Sequence, residues 1–201
     1  MTRIKTRVIN LSKILILLLF LSCQNTEENT EKYYPNKNFF DSKKTRKIDL
    51  GNNSPKPSKL PILINDIYEE DSLPYFEIIK SKNEVIKIMP LMGGMGNGYY
   101  KEDFFLSITQ DSILSYLGKN YLLSDLNRIL KKHYEDYGKN ACVEISIDDD
   151  ASLGNSALKK TLIKLTSSFE NLDLKNKDSI ELKVVLSNLR FTPKPPPRPE
   201  M

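Results

Sequence analysis

The sequence predicts an α/β protein: a two-layer sandwich, with a mixed sheet of β-β-α-β-α-β order covered by two helices. A disordered N-terminal tether and a Pro-rich C-terminal tail flank it. Three observations carry that reading. The stretches "FFLSIT" and "ACVEISI" alternate with the period of two that puts every second side chain on one face of a strand. "DLNRILKKHYEDY" and "SALKKTLIKLTSSF" repeat their apolar residues at helical spacing. Residues 24–60 and 191–201 have no sustained apolar period.

Residues 1–22 read as a signal peptide. Arg3, Lys5, Arg7 and Lys13 make a basic start, and Ile14 to Leu21 is apolar. A helix needs about 20 apolar residues to cross a bilayer, so this run is too short to span one. It suits a secretory signal, with the small Ser22 before the cut. The competing reading is an uncleaved anchor starting nearer Val8, but it leaves a cysteine at the polar boundary without a reason. "FLSC" resembles a bacterial lipoprotein box, with Phe20 where Leu is commoner. The resemblance implies cleavage before Cys23, acylation of Cys23 (a palmitate-type lipid) and attachment to the membrane through that lipid. Glu27-Glu28 is similar to the acidic stretch of surface-exported lipoproteins of Bacteroidota, so the expected place is the outer membrane or cell surface.

The 201 residues suit one domain plus tails. The formal net charge of +4 resides in the leader. Without residues 1–22, 26 of the 30 basic residues face 26 acidic ones. A neutral chain lacks the general attraction that nucleic-acid binding needs. Of the two cysteines, lipid would take Cys23, and Cys142 in "ACVEISI" reads as a buried thiol.

Residues 23–60 read as a lipid-anchored tether rich in Asn, Lys, Ser, Thr and Pro, in which Tyr33-Tyr34 and Phe39-Phe40 are incidental aromatics. Residues 61–102 form a lead-in. "NEVIKIM" predicts a strand buried on both faces or at the domain edge, and "PLMGGMGNGYY" a Gly-rich loop. That loop lacks the Lys-Ser/Thr of a phosphate-binding P-loop and is followed by a strand pattern. Met92, Gly94 and Met95 are candidate contacts to a partner or ligand, since methionine makes adaptable apolar surface.

Residues 103–190 are the predicted α/β domain. Phe104, Leu106 and Ile108 share a strand face, and "QDS" turns the chain. "ILSYLGKNYLL" makes a second strand broken at Gly118-Lys119-Asn120. Ser124 is placed to cap a helix whose inner stripe is Leu126, Ile129, Leu130, His133 and Tyr137, with Gly138 as its stop. Ala141, Val143, Ile145 and Ile147 should face inward from the next strand. Leu158, Leu162, Leu165 and Phe169 stripe the second helix, and Ile180, Leu182, Val184 and Leu186 line a last strand.

Two motifs, "TQDSILSYLGKNYLLSDL" and "VEISIDDDASLGNSALKKTL", resemble the periplasmic domain of the ExbD/TolR family over about residues 103–189. Asp148 matches the family's acidic position and Gly154 its glycine, while Leu153 stands where Tyr is usual and Ile147 where Ala is frequent. The resemblance implies a dimeric domain that binds a protein partner or the cell wall. That family's transmembrane helix carries an aspartate that couples to protons. No acid lies between Ile14 and Ser22, so the motor role is not expected here.

Catalytic and metal chemistry find little purchase. A calcium loop starting at Asp148 would need Gly at its sixth position and Glu at its twelfth, which are Leu153 and Lys159; starting at Asp149 puts Lys160 at the twelfth. Asp148, Asp149 and Asp150 instead favour the positive end of the following helix and stay as candidate ligand contacts. The lone histidine, His133, reads as structural. No catalytic residue, metal site or cofactor is assigned. The expected function is a non-catalytic, lipid-anchored envelope protein. The alternative is a hydrolase or ligand-binding lipoprotein using the Gly93–Gly98 loop and the Asp148–Asp150 cluster. "TPKPPPRPEM" reads as a stiff, exposed arm.

Overall fold

The alternation Phe76, Ile78 and Ile86, Ile88 drives a hairpin of two strands, β3 (Leu73–Ser81) and β4 (Glu84–Ile88). The computed structural model describes residues 30–51, 54–91, 105–109, 112–114, 119–147 and 154–187. Two earlier strands flank the hairpin, each parallel to its neighbour: β1 (Thr30–Tyr34) beside β4 and β2 (Thr45–Ile48) beside β3. The sheet order is β1-β4-β3-β2. Tyr34, Ile48, Phe76, Ile78, Ile86 and Ile88 are buried in one common core.

This corrects the expected tether. From Thr30 onward, residues assigned to it build two strands and a short helix, α1 (Lys37–Asp41). Asn36 caps α1, its Oδ1 accepting from the Phe39 N–H at 3.0 Å. Tyr34 and Phe40, read as incidental aromatics, are buried. Phe40 meets Tyr33 edge-on at 5.1 Å and Tyr75 at 5.7 Å on the outer face of the sheet. The segment looked unstructured because its strands are short and polar on one side. Their pairing partners lie some 30 to 50 positions away, where no local period reports them.

The lead-in is likewise more than one strand. A 3₁₀ turn (Pro57–Lys59) opens α2 (Leu60–Glu69), and Pro61 sits in the first turn, where its missing N–H costs nothing. Helix α2 touches both β3 and the last strand of the second sheet. Strand β4 is central in its sheet, not at the domain edge.

The second sheet has the order β5-β10-β9-β6-β7-β8. Its strands are β5 (Pro90–Leu91), β6 (Phe105–Ile108), β7 (Ser112–Leu114), β8 (Asn120–Leu122), β9 (Cys142–Ser146) and β10 (Val184–Ser187). Strands β5, β10, β9 and β6 pair in parallel, and β7 and β8 add antiparallel. The expected second strand is thus two, β7 and β8. The expected last strand is ladder-paired only from Val184.

Two longer helices cross over this sheet: α3 (Leu126–Tyr137) and α4 (Asn155–Glu170). Leu126, Ile129, Leu130 and His133 of α3 are buried as the spacing requires, and so are Leu158, Leu162, Leu165 and Phe169 of α4. Gly138 ends α3 at φ +53°, a backbone conformation that glycine adopts without Cβ strain. Ser124 does not cap it: a 3₁₀ turn (Leu123–Asp125) leads into α3, and neither helical start has a side-chain cap. Helix α4 also touches β3, so the helices share one core with both sheets. Buried Thr166 returns its hydroxyl to the Leu162 carbonyl at 3.0 Å. The architecture is therefore mixed α/β, with a four-stranded N-terminal sheet that the sequence pattern did not announce.

Candidate functional site

Helix α4 ends on a carboxylate, Glu170, at the pole of the helix dipole that disfavours negative charge. The compensation comes from the N-terminal sheet. Lys32 of β1 lies 2.8 Å from Glu170 and 2.7 Å from Glu84. Lys80, at the position where the β3–β4 register shifts, reaches Glu84 at 3.1 Å and Glu170 at 3.4 Å. The Tyr34 hydroxyl donates to Glu170 at 2.6 Å. Lys177 donates to the Glu170 carbonyl, covering the helix end.

The charge states follow. Burial pushes Glu170 up, but Lys32 and Tyr34, with Lys80 behind them, outweigh it and hold the carboxyl below its ordinary range. Lys32 lowers Glu84 in the same way. Burial pulls Lys32 down, yet Glu170 and Glu84 leave it above the usual lysine value. Burial first, and Glu170 second, raise Tyr34 so far that it stays a phenol. Glu170, Glu84, Lys32 and Tyr34 are each held in the ordinary ionic form. The cluster fastens the N-terminal sheet to the end of α4.

Beside this junction, a cleft of about 650 Å³ opens between the end of α3 and residues 173–180. Tyr134, Leu174 and Ile180 supply its apolar lining. Lys131, Lys139 and Lys175 stand around it with Glu135 and Asp173, so both signs of charge are present. Tyr134 is fixed beneath by a hydrogen bond to the Glu181 carbonyl at 3.2 Å and by ring contact with Phe169 at 5.3 Å.

The nucleophile candidates are closed off. Burial pushes the Cys142 thiol up to about 12, and its Sγ points to the Lys183 carbonyl at 3.7 Å. His133 Nε2 instead lies 3.2 Å from the Cys142 carbonyl, so ring and thiol form no catalytic pair. The expectation of a buried thiol and a structural histidine agrees with these positions.

Among the buried polar groups that sequence reasoning missed, Glu144 carries the charge. Glu144 alternates with Val143 and Ile145 and was expected to face outward, yet it is 4% exposed and accepts a hydrogen bond from Ser107. Ser107 and Glu144 are register partners on β6 and β9, and Ser187 is buried on the same side of β10. Parallel strands are covered on both faces, and the parallel pairing of β6, β9 and β10 appears only in the fold.

No family model matches this chain, and neither a curated protein nor a solved structure matches it. Cys23, Met92, Gly94, Met95, Asp148, Asp149 and Asp150 lie outside the described residues, so the Gly-rich loop and the acidic cluster are not placed relative to each other. Among the described residues, no three metal-ligating side chains gather, and no helix is long and apolar enough to cross a membrane.

Proposed function

We propose that this chain is a lipid-anchored envelope protein whose α/β domain is a non-catalytic interaction module for a protein partner or the cell wall. The observation that carries the reading is Cys23, which follows a basic start and a short apolar run at the point where the chain turns polar. The likeness to the ExbD/TolR periplasmic domain rests on the sequence motifs and on the strand–helix alternation from Phe105 to Ser187. The closed state of Cys142 and His133, and the mixed-charge cleft beside Tyr134, support binding over catalysis.

Two experiments test it. Cys23→Ser should abolish lipid incorporation and leave the leader uncleaved; unchanged processing with membrane retention refutes the anchor. Purified protein should bind a partner in the envelope or isolated cell-wall sacculi, and Lys139→Glu with Lys175→Glu should weaken that binding. Wild-type binding by the doubly substituted protein removes the cleft from the interface.

A further inference from the structure

The reading of Cys23 as the anchor has a geometric consequence once the position of β1 is known. Thr30, the first residue of β1, stands seven residues after Cys23. Seven residues can reach at most about 25 Å in any conformation. The anchored domain is therefore held close to its membrane, not at the end of a long leash.

The register of β1 decides which end of the domain is held there. Thr30 pairs with Glu84 at the β3–β4 turn, and its N–H donates to the Asn83 carbonyl at 2.8 Å. The opposite end of β3 begins at Leu73, beside Lys43 and Lys44, where Lys43 pairs with Asp71 at 3.2 Å. The nine residues of β3 separate the two ends by about 27 Å at roughly 3.4 Å per residue. An inverted pose would hold Thr30 about 27 Å from the membrane, beyond the roughly 25 Å that seven residues can span.

The tethered end also carries an apolar group that the fold leaves uncovered. Ile79 lies on the outer face of β3, two residues before Ser81, and is 65% exposed. Its cross-strand partner is Val85. On that outer face the neighbouring charges are matched within the protein, Glu77 by Lys47 and Lys87 by Glu31. A contact of Ile79 with lipid would thus be apolar.

We propose that the anchored protein stands on its membrane through the β3–β4 hairpin end, with Ile79 against the lipid headgroup region and the Lys43–Asp71 end directed away. This rests on the lipid-anchor reading and gives it a direction.

The test uses the full, processed chain with Cys142→Ala as background, carrying either Lys82→Cys or Lys43→Cys labelled with a fluorophore. The chain is reconstituted into phosphatidylcholine–phosphatidylglycerol vesicles bearing nitroxide headgroups. The expected result is a strong loss of fluorescence at position 82, little loss at 43, and a smaller loss at 82 when Ile79→Asp is added. Equal quenching at both positions in chains that float with the vesicles overturns the orientation while leaving the anchor intact. An unchanged signal with Ile79→Asp overturns the Ile79 contact. If Cys23→Ser floats as well as the wild type, the anchor itself fails and the proposal fails with it.

Discussion

The phenol of Tyr34 donates to the carboxylate of Glu170 at 2.6 Å, joining residues 136 positions apart. One belongs to the first described strand and the other to the last turn of α4. Through them the N-terminal sheet is part of the folded body and not an appendage to it.

Removing that bond should be measurable in urea unfolding. Tyr34→Phe is expected to cost about 1–2 kcal/mol, since the acceptor is charged and half-buried. Glu170→Gln should cost about 1–3 kcal/mol, because Lys32 and Lys80 lose a shared partner. The double variant should cost less than the sum. Strict additivity would mean that the pair is not coupled.

Acid should loosen the same junction. Glu170 and Glu84 are held below their ordinary pKa in the folded protein. Their contribution is complete above the unfolded carboxyl value, about 4.3. It is lost as pH falls through the lower folded values. Urea midpoints measured from pH 7 down to pH 3 should therefore drop, and drop less steeply in Glu170→Gln. Parallel slopes would place the acid sensitivity elsewhere.

A chain lacking residues 24–49 should not fold stably. The deletion removes β1 and β2, and with them Tyr34 and Ile48 from the shared core. Circular dichroism and limited proteolysis distinguish this from a dispensable tether, whose loss would leave a protected, cooperatively melting domain.

Cys142 should resist alkylation at pH 8 in the native protein and react promptly in urea. Its thiol is pushed up to about 12 in the fold, against about 8.5 when unfolded. A raised pKa means that the associated stability is full below the unfolded value and is lost as pH rises towards the folded one. Rapid native labelling would show a thiol more open than its burial implies.

Much of the second half of the chain was legible because its signals are local. The stripes Leu126–Ile129–Leu130 and Leu158–Leu162–Leu165 repeat within one helix, and Gly138 marks a stop that the backbone needs. Ser124 misled because a polar residue before a helix caps it only when the preceding backbone is extended, and here a 3₁₀ turn occupies that place. Glu144 misled because alternation reports a strand, not what lies over its second face.

The sequence by itself determined the α/β class and the two helices over the second sheet, and it pointed to burial for Cys142. It also carries the case for an anchor at Cys23. Tertiary structure alone decided that the chain is built in from Thr30, that β1 and β2 flank a hairpin, and that Glu144 is buried. It also brought Tyr34, Lys32, Lys80 and Glu84 to the end of α4. The physical reason is range: helical stripes and turn residues act over a few positions, whereas parallel pairing and shared counter-charges join residues that no local pattern connects.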